Sequence, residues 1–288
     1  MNLIQISNSR RSVTIATALM GVLSLAIGAH AALNNRTSVA PDVVSVEQSV
    51  DIPGKASRIA LVIGNGHYPD ANTPLTQPIN DARGLTTSLR QDGFNVEVVE
   101  DASKDDMERA IGRLKSKIKP DSVVMMFFGG YGIQLGNESY MIPVDAAIWK
   151  ESDVRRNGVS VESVLEMMKE QGACAKLVVI DAARRNPYER RFRAYSHGLA
   201  QIKAPDNALI LTSAMPGKVA DDSAGQYSAL MSELLNNLPG QLDKTAAETV
   251  FEKTRLAVAR ASEGEQVPAL SSSLQEDVRF GVAENFGG

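Results

Sequence analysis

The feature that most restricts the fold of this chain is a series of short apolar runs separated by segments with helical spacing. Residues 58–64 and 176–181 are rich in valine, isoleucine and leucine, and neither run alternates with polar residues. Runs of this length and composition are typical of strands that are buried on both faces. Between such runs, residues 78–91 carry apolar side chains at intervals of three and four. Strands that alternate with helices predict an α/β fold with a mostly parallel sheet and helices on both faces.

The same patterns assign most of the remaining chain. Strands are predicted at 58–64, 94–99, 122–128, 176–181 and 207–213, with further edge strands at 267–270 and 277–280. Helices are predicted at 78–91, 103–118, 160–171, 227–237 and 245–262. Ligands of open α/β sheets bind at the carboxyl ends of the strands. The residues that follow Phe128, Ile180 and Leu211, and the loop after Gly64, are therefore the candidates for a functional site.

The first part of the chain has the pattern of an export signal. Arg10 and Arg11 precede an uncharged apolar run at 13–27, and Ala-His-Ala at 29–31 has the form of a signal-peptidase site. The run is shorter than the roughly 20 residues that a membrane helix needs. We therefore predict a cleaved signal over 1–31, a linker over 32–56, one folded domain over 57–285, and a periplasmic or secreted protein. The alternative is an uncleaved signal that anchors the protein in the inner membrane.

Composition excludes several classes of function. The formal charge of −4 comes from interspersed acidic and basic residues, without the basic stripe that marks a nucleic-acid-binding surface. One cysteine cannot form an internal disulfide, and three histidines offer little for a soft-metal site. No nucleic-acid partner, no metal and no other cofactor are predicted.

Six blocks of sequence, in their order and spacing, resemble the p20-type caspase-like catalytic domain of bacterial metacaspases and orthocaspases. The blocks are RIALVIGN (58–65), PINDA (78–82), GF (93–94), FFGGYG (127–132), YMIPVD (140–145) and VIDAARRNP (179–187). The resemblance covers residues 58–213, with a looser continuation to residue 280. It implies a three-layer caspase-like fold with a central sheet of about six strands.

The family's two catalytic positions carry the wrong residues for catalysis. In the family, a Gly-His-Gly turn supplies the general base and an Asp-x-Cys turn supplies the nucleophile, and this chain has Tyr131 and Ala183 at those places. Their separation matches the roughly fifty residues expected between a caspase histidine and cysteine. Alanine has no nucleophilic atom, and tyrosine is a poor base at neutral pH. The resemblance therefore predicts a natural pseudopeptidase with a degenerate catalytic pair.

The resemblance also suggests a substrate pocket. Asp81 and Asp181 match pocket aspartates of relatives that prefer Arg or Lys, and two carboxylates suit a guanidinium. Gly132 matches the residue whose amide stabilises an oxyanion in active relatives, and here a turn role is the alternative. Asp81 could instead be a residue at the helix start, favoured by the helix dipole. Asp181 could instead pair with Arg184 or Arg185.

Other reactive side chains are assigned structural roles. Cys174 lies between a predicted helix and the amino end of the strand at 176–181, which is the wrong end of the sheet. Ser196, His197 and Ser213 could be imagined as a rearranged serine–histidine pair with Asp181, but they match no known motif. His67 and His197 are interpreted as surface loop residues.

The loop at 184–193 holds five arginines and one glutamate, which makes a local positive patch. The patch could bind an acidic partner or pair with surface acids such as Asp221 and Asp222.

The leading functional hypothesis is an exported, non-catalytic module that binds a peptide or protein with exposed Arg or Lys, or regulates a partner protease. One alternative is a hydrolase with an unconventional nucleophile. Another is a structural scaffold of the cell envelope.

Overall fold

The computed structural model describes residues 57–71, 74–185, 187–188, 198–220, 225–239 and 245–281. These residues belong to a single unit that extends over residues 52–288. The predicted signal at 1–31 and the predicted linker at 32–56 lie outside the described residues. Their assignment therefore stays a prediction. Among the described residues, no helix combines the length and the apolar character that crossing a membrane requires.

Strands and helices alternate through the first two thirds of the described chain. The strands are β1 (Arg58–Gly64), β2 (Asn95–Glu100), β3 (Val123–Gly129), β4 (Gly132–Leu135), β5 (Glu138–Met141), β6 (Val159–Ser160), β7 (Ala175–Asp181), β8 (Ala208–Thr212), β9 (Thr245–Ala246), β10 (Ala269–Ser272) and β11 (Arg279–Phe280). The helices are α1 (Gln77–Gln91), α2 (Lys104–Lys117), α3 (Glu151–Asn157), α4 (Val161–Glu170), α5 (Ala229–Asn237) and α6 (Ala247–Ala261).

The central sheet has six strands in the order β10-β8-β7-β3-β1-β2. Five of them are parallel, and β10 pairs antiparallel with β8 at one edge. β1, β3, β7 and β8 are buried almost throughout, as their apolar runs predict. The predicted α/β fold with a mostly parallel sheet of about six strands is confirmed.

Helices cover both faces of this sheet, and each face has its own apolar core. On one face, α2 and α4 pack through residues such as Met107 and Leu165. On the other face, α1, α5 and α6 pack through residues such as Leu85, Leu234 and Phe251. The three-layer arrangement leaves the strand ends as the places where polar side chains gather.

Two parts of the fold differ from the sequence prediction. A small antiparallel sheet, β4-β5-β6, and helix α3 lie between β3 and α4, where no element was predicted. The strands are only two to four residues long, which is too short for a clear period. The second difference is that the predicted edge strand at 277–280 contributes β11, which pairs with β9 in a separate sheet and not with the central one.

The small sheet carries a third apolar cluster beside the carboxyl ends of β1 and β3. It contains four tyrosines together with aliphatic residues of the loops. Its buried members are Tyr68, Leu75, Tyr131, Ile133, Tyr140, Ile142, Ala146, Ile148, Val154 and Tyr188. This cluster covers the region where the sequence places the first catalytic position.

Candidate functional site

The two positions that the resemblance assigns to the catalytic pair, Tyr131 and Ala183, follow the ends of neighbouring strands. β3 and β7 are parallel and in register, with Gly129 opposite Asp181. Beyond the strands, the Gly130 amide donates to the Asp181 carbonyl at 3.2 Å, and the Gly132 amide donates to the Ala182 carbonyl at 2.9 Å. The register and these two bonds bring the segments that hold Tyr131 and Ala183 together at one edge of the sheet.

Tyr131 is built into the third apolar cluster. Only 6% of the residue is exposed, and its ring centroid lies 4.6 Å from that of Tyr68. The Tyr131 amide donates to the Tyr68 hydroxyl at 3.1 Å, and that hydroxyl donates to the Ile142 carbonyl at 2.9 Å. Burial raises the pKa of Tyr68 well above its ordinary value, so the hydroxyl stays neutral and serves as a structural link.

Ala183 is part of the core that lies on the α2 and α4 face of the sheet. It is 1% exposed, and its carbonyl accepts a hydrogen bond from the Ala220 amide at 2.7 Å. Its side chain is a methyl group in an apolar environment. In this structure, neither position presents an exposed side chain to a substrate.

Gly132 is the first residue of β4 and approaches its neighbours closely. A Cβ at this position would lie 2.6 Å from Leu199 Cδ2 and 2.8 Å from the Ala182 carbonyl oxygen. The close approach explains why glycine is needed here, independently of any role in catalysis. Its amide, the predicted oxyanion donor, donates to Ala182 in this structure.

Asp81 is completely buried in α1. The first turn of α1 contains no acidic residue, and Asp81 follows that turn, so favourable interaction with the helix start does not explain it. Its Oδ1 accepts from the Ser228 amide at 3.0 Å, whereas Oδ2 has no hydrogen-bond partner in the part of the chain that the structure describes. Burial, together with the charge of Asp181, raises the pKa of Asp81 to about 7.

Asp181 is buried at the end of β7 and pairs with an arginine of its own chain. Arg184 Nη2 lies 3.3 Å from Asp181 Oδ2, and both side chains are almost fully buried. Arg184 Nη1 also donates to the main-chain carbonyls of Asp181 and Gly130. The sequence offered Arg184 and Arg185 as possible partners of Asp181. In the structure the partner is Arg184, and Arg185 is exposed. We call Asp81 and Asp181 the acidic pair.

The two alternative nucleophiles that the structure describes, Cys174 and Ser213, are separated from this edge or inaccessible. Cys174 precedes β7, at the opposite end of that strand, and its Sγ lies 3.9 Å from Glu276 Oε2. Burial, reinforced by the negative charge of Glu276, raises the pKa of the Cys174 thiol, which disfavours the thiolate. Ser213 follows β8 and is completely buried. Ser196 and His197 lie outside the described residues.

His67 forms a contact that the sequence did not predict. Its Nδ1 lies 2.6 Å from Asp101 Oδ2, and Asp101 Oδ1 accepts from the amides of Gly66 and His67 at 2.9 Å. The two residues follow β1 and β2, which are adjacent in the sheet. The His67 side chain is 65% exposed, which agrees with a loop residue at the surface. Within the described ranges, no group of His, Cys, Asp and Glu side chains has the arrangement of a metal site.

Two further features are the predicted arginine patch and a cavity. Of the predicted arginine patch, Arg184 and Arg185 are described, whereas residues 189–193 and the acids Asp221 and Asp222 lie outside the described residues. A cavity of about 620 Å³ lies beside β8 and β10, and the residues that line it include Ile210, Met215 and Arg255. The lining residues include neither member of the acidic pair and neither Tyr131 nor Ala183.

The fold is that of an α/β protein with a parallel sheet and one antiparallel edge strand. Its candidate site lies at the carboxyl ends of β3 and β7. The family model of the caspase domain matches residues 57–279, which is most of the chain, and the chain therefore belongs to this peptidase family. It is similar to the human mucosa-associated lymphoid tissue lymphoma translocation protein 1, with 29% identity over 144 residues. The alignment covers 50% of this chain and 17% of the human protein.

The mouse homolog of that protein is 28% identical over 138 residues, which are 48% of this chain and 16% of the mouse protein. The chain thus spans about one sixth of the length of these curated relatives. The predicted caspase-like family is confirmed, and the assignment to the metacaspase or orthocaspase branch stays a prediction.

Proposed function

We propose that this chain is an exported caspase-domain protein without peptidase activity that binds a segment with exposed Arg or Lys, either a peptide or part of a partner protease. The observation that carries the proposal is the pairing of Asp181 with a guanidinium, beside a second carboxylate, next to positions without catalytic groups. The export signal and its cleavage after residue 31 are part of this proposal.

The loss of catalysis follows from the chemistry of the residues. Ala183 has no atom that can attack a carbonyl, and removal of the nucleophile of a serine-protease triad lowers turnover on the order of a million-fold. Tyr131, as a phenol in an apolar cluster, is unsuited to take a proton at neutral pH. Cys174 cannot take over, because it lies at the other end of β7.

The preference for a basic ligand follows from charge. Two carboxylates that are both withdrawn from water attract a cation strongly, and a guanidinium also satisfies their hydrogen-bond acceptors. Asp81 Oδ2 has no donor within the described residues, so the acidic pair has an acceptor left over. A Lys or Arg side chain supplies both the positive charge and the hydrogen-bond donors that complement the acidic pair.

The first experiment tests for catalysis. Purified protein is incubated with fluorogenic peptides that end in Arg, Lys or Asp, and we expect the rate to equal that of buffer. The Ser213→Ala variant is the matched control for an unconventional nucleophile. Robust turnover by the wild type would overturn the non-catalytic proposal, and its loss in Ser213→Ala would identify the alternative hydrolase.

The second experiment tests for binding. Calorimetry compares an arginine-containing peptide with the same peptide carrying citrulline, which keeps the shape of arginine and removes its charge. We expect binding of the arginine peptide only, weakened about tenfold or more by Asp181→Asn. Equal affinity for both peptides, or equal affinity of wild type and variant, would contradict a charge-based site.

A further inference from the structure

Arg184 occupies the place where a basic ligand would meet the acidic pair. It follows Asp181 by three residues, and it is 4% exposed. Its guanidinium contacts the Asp181 carboxylate and two main-chain carbonyls, those of Asp181 and Gly130. These contacts are of the kind that a bound arginine of another molecule would make.

The ionisable groups at this place are two carboxyls and one guanidinium. The positive charge of Arg184 lowers the pKa of Asp81, whereas burial and Asp181 raise it. Without Arg184, the two buried carboxyls would disfavour each other's charge, with no cation among the described contacts of either group. Such a pair is a strong site for a guanidinium, because an unpaired buried charge is costly.

We propose that Arg184 is an intramolecular ligand that closes the acidic pair, so that a partner's Arg or Lys binds only when it displaces the Arg184 guanidinium. The nature of the partner in this inference rests on the proposed function, whereas the occupation of the acidic pair by Arg184 does not. The domain then exists as a closed form, with Arg184 on Asp181, and an open form that accepts a ligand.

This competition sets the affinity for the partner. The apparent affinity of a ligand falls by the fraction of molecules that are in the competent form. If the closed form is favoured by one or two orders of magnitude, removal of Arg184 raises peptide affinity by about 10–100-fold. The neighbouring Arg185 is exposed and carries the same charge, so Arg185→Ala is a matched control that is expected to change peptide affinity less than about threefold.

The first test needs no peptide. Ethylguanidinium is added at low millimolar concentration to the Arg184→Ala variant, and thermal unfolding is measured. We expect the melting temperature to rise by about 3–5 °C when the additive is tenfold above its Kd. The wild type, the Arg185→Ala variant and the Arg184→Ala/Asp181→Asn double variant are expected not to respond, and neutral ethylurea is expected to have no effect on any of them.

Whether the Arg184→Ala variant folds in buffer also tests the proposal. If Arg184→Ala is unfolded in buffer, recovery of the folded state on addition of ethylguanidinium supports the proposal. Absence of any response, in melting temperature or in refolding, overturns it. A similar response by the Arg184→Ala/Asp181→Asn variant also overturns it, because the additive would then act elsewhere.

The second test separates this inference from the proposed function. The arginine peptide and its citrulline analogue are titrated into the wild type and the Arg184→Ala and Arg185→Ala variants. Tighter binding of the arginine peptide by Arg184→Ala alone supports both ideas. Equal binding by all three proteins overturns the closure by Arg184 and leaves the proposed function intact. If ethylguanidinium stabilises Arg184→Ala but no peptide binds to any protein, the proposed function fails and the closure stands.

Discussion

At the scale of single residues, Asp81 lies in an unfavourable environment for a charged side chain. It is a carboxyl group without exposure, with one oxygen bonded to the Ser228 amide and the other without a partner among the described residues. A carboxyl in such a place favours its neutral form. The pKa of about 7 makes the charge of Asp81 sensitive to pH close to neutrality.

The pH dependence of stability follows from this pKa. Because the pKa is raised on folding, Asp81 in the native state binds a proton that the unfolded state releases between about pH 4 and pH 7. Its contribution to the free energy of unfolding therefore decreases as the pH rises through that window. Between pH 5 and pH 8 the loss is expected to be about 2–3 kcal/mol.

Urea unfolding of the wild type and of Asp81→Asn at pH 5 and pH 8 measures this effect. The amide keeps the acceptor for the Ser228 amide and cannot ionise, so the variant is expected to lose less stability over that range than the wild type. The same loss in both proteins would show that Asp81 does not change its protonation there.

At the scale of elements, the start of β4 is fixed by how closely it approaches β7. Gly132 bonds to Ala182 with its amide and leaves no room for a Cβ between Leu199 and the Ala182 carbonyl. A methyl group here must push β4 away from the end of β7. The approach of these two elements determines where Tyr131, the preceding residue, is held.

Gly132→Ala is expected to lower the free energy of unfolding by about 1–3 kcal/mol through overpacking. Gly112→Ala is the matched control, because Gly112 lies in helix α2 and a Cβ there meets no atom within 4 Å. That control is expected to raise stability by about 0.5–1 kcal/mol, since alanine favours the helix. Chemical denaturation measures both, and equal effects of the two changes would contradict the close approach at β4.

At the scale of the whole molecule, the two catalytic positions and the acidic pair come from three distant parts of the chain. β3 and β7 present Tyr131 and Ala183, and α1 adds Asp81 from the opposite face of the sheet. Placing histidine at position 131 and cysteine at position 183 is therefore not expected by itself to give a working site. In the proposed closed form, Arg184 still pairs with Asp181 when those two side chains are replaced.

The Tyr131→His/Ala183→Cys double variant is expected to cleave arginine peptides no faster than buffer, because Arg184 still occupies the acidic pair and excludes the arginine of the substrate. Addition of Arg184→Ala is expected to allow cleavage at least about tenfold above that background. Fluorogenic arginine peptides measure both, with aspartate peptides as controls. Cleavage by the double variant alone would show that the acidic pair is already open to substrate.

The sequence by itself determined the architecture, and it predicted which residues stand at the two catalytic positions of the family. Apolar runs such as 58–64 and 176–181 predict buried parallel strands, because burial on both faces imposes a composition that is visible locally. The order of motif blocks places Tyr131 and Ala183 at strand ends without any coordinates. The strands of β4-β5-β6 escaped prediction, since two to four residues carry no period.

Only the tertiary structure decided how the side chains at those strand ends are paired. Arg184 and Arg185 are adjacent residues of the same type. The structure buries Arg184 and exposes Arg185. Tyr68 meets Tyr131 across 63 residues, and Asp81 meets Ser228 across 147. Contacts between residues so far apart depend on the packing of whole elements, and local pattern contains no information about them. For that reason the sequence could predict two aspartates for a basic ligand, but only the structure pairs one of them, Asp181, with Arg184 of the same chain.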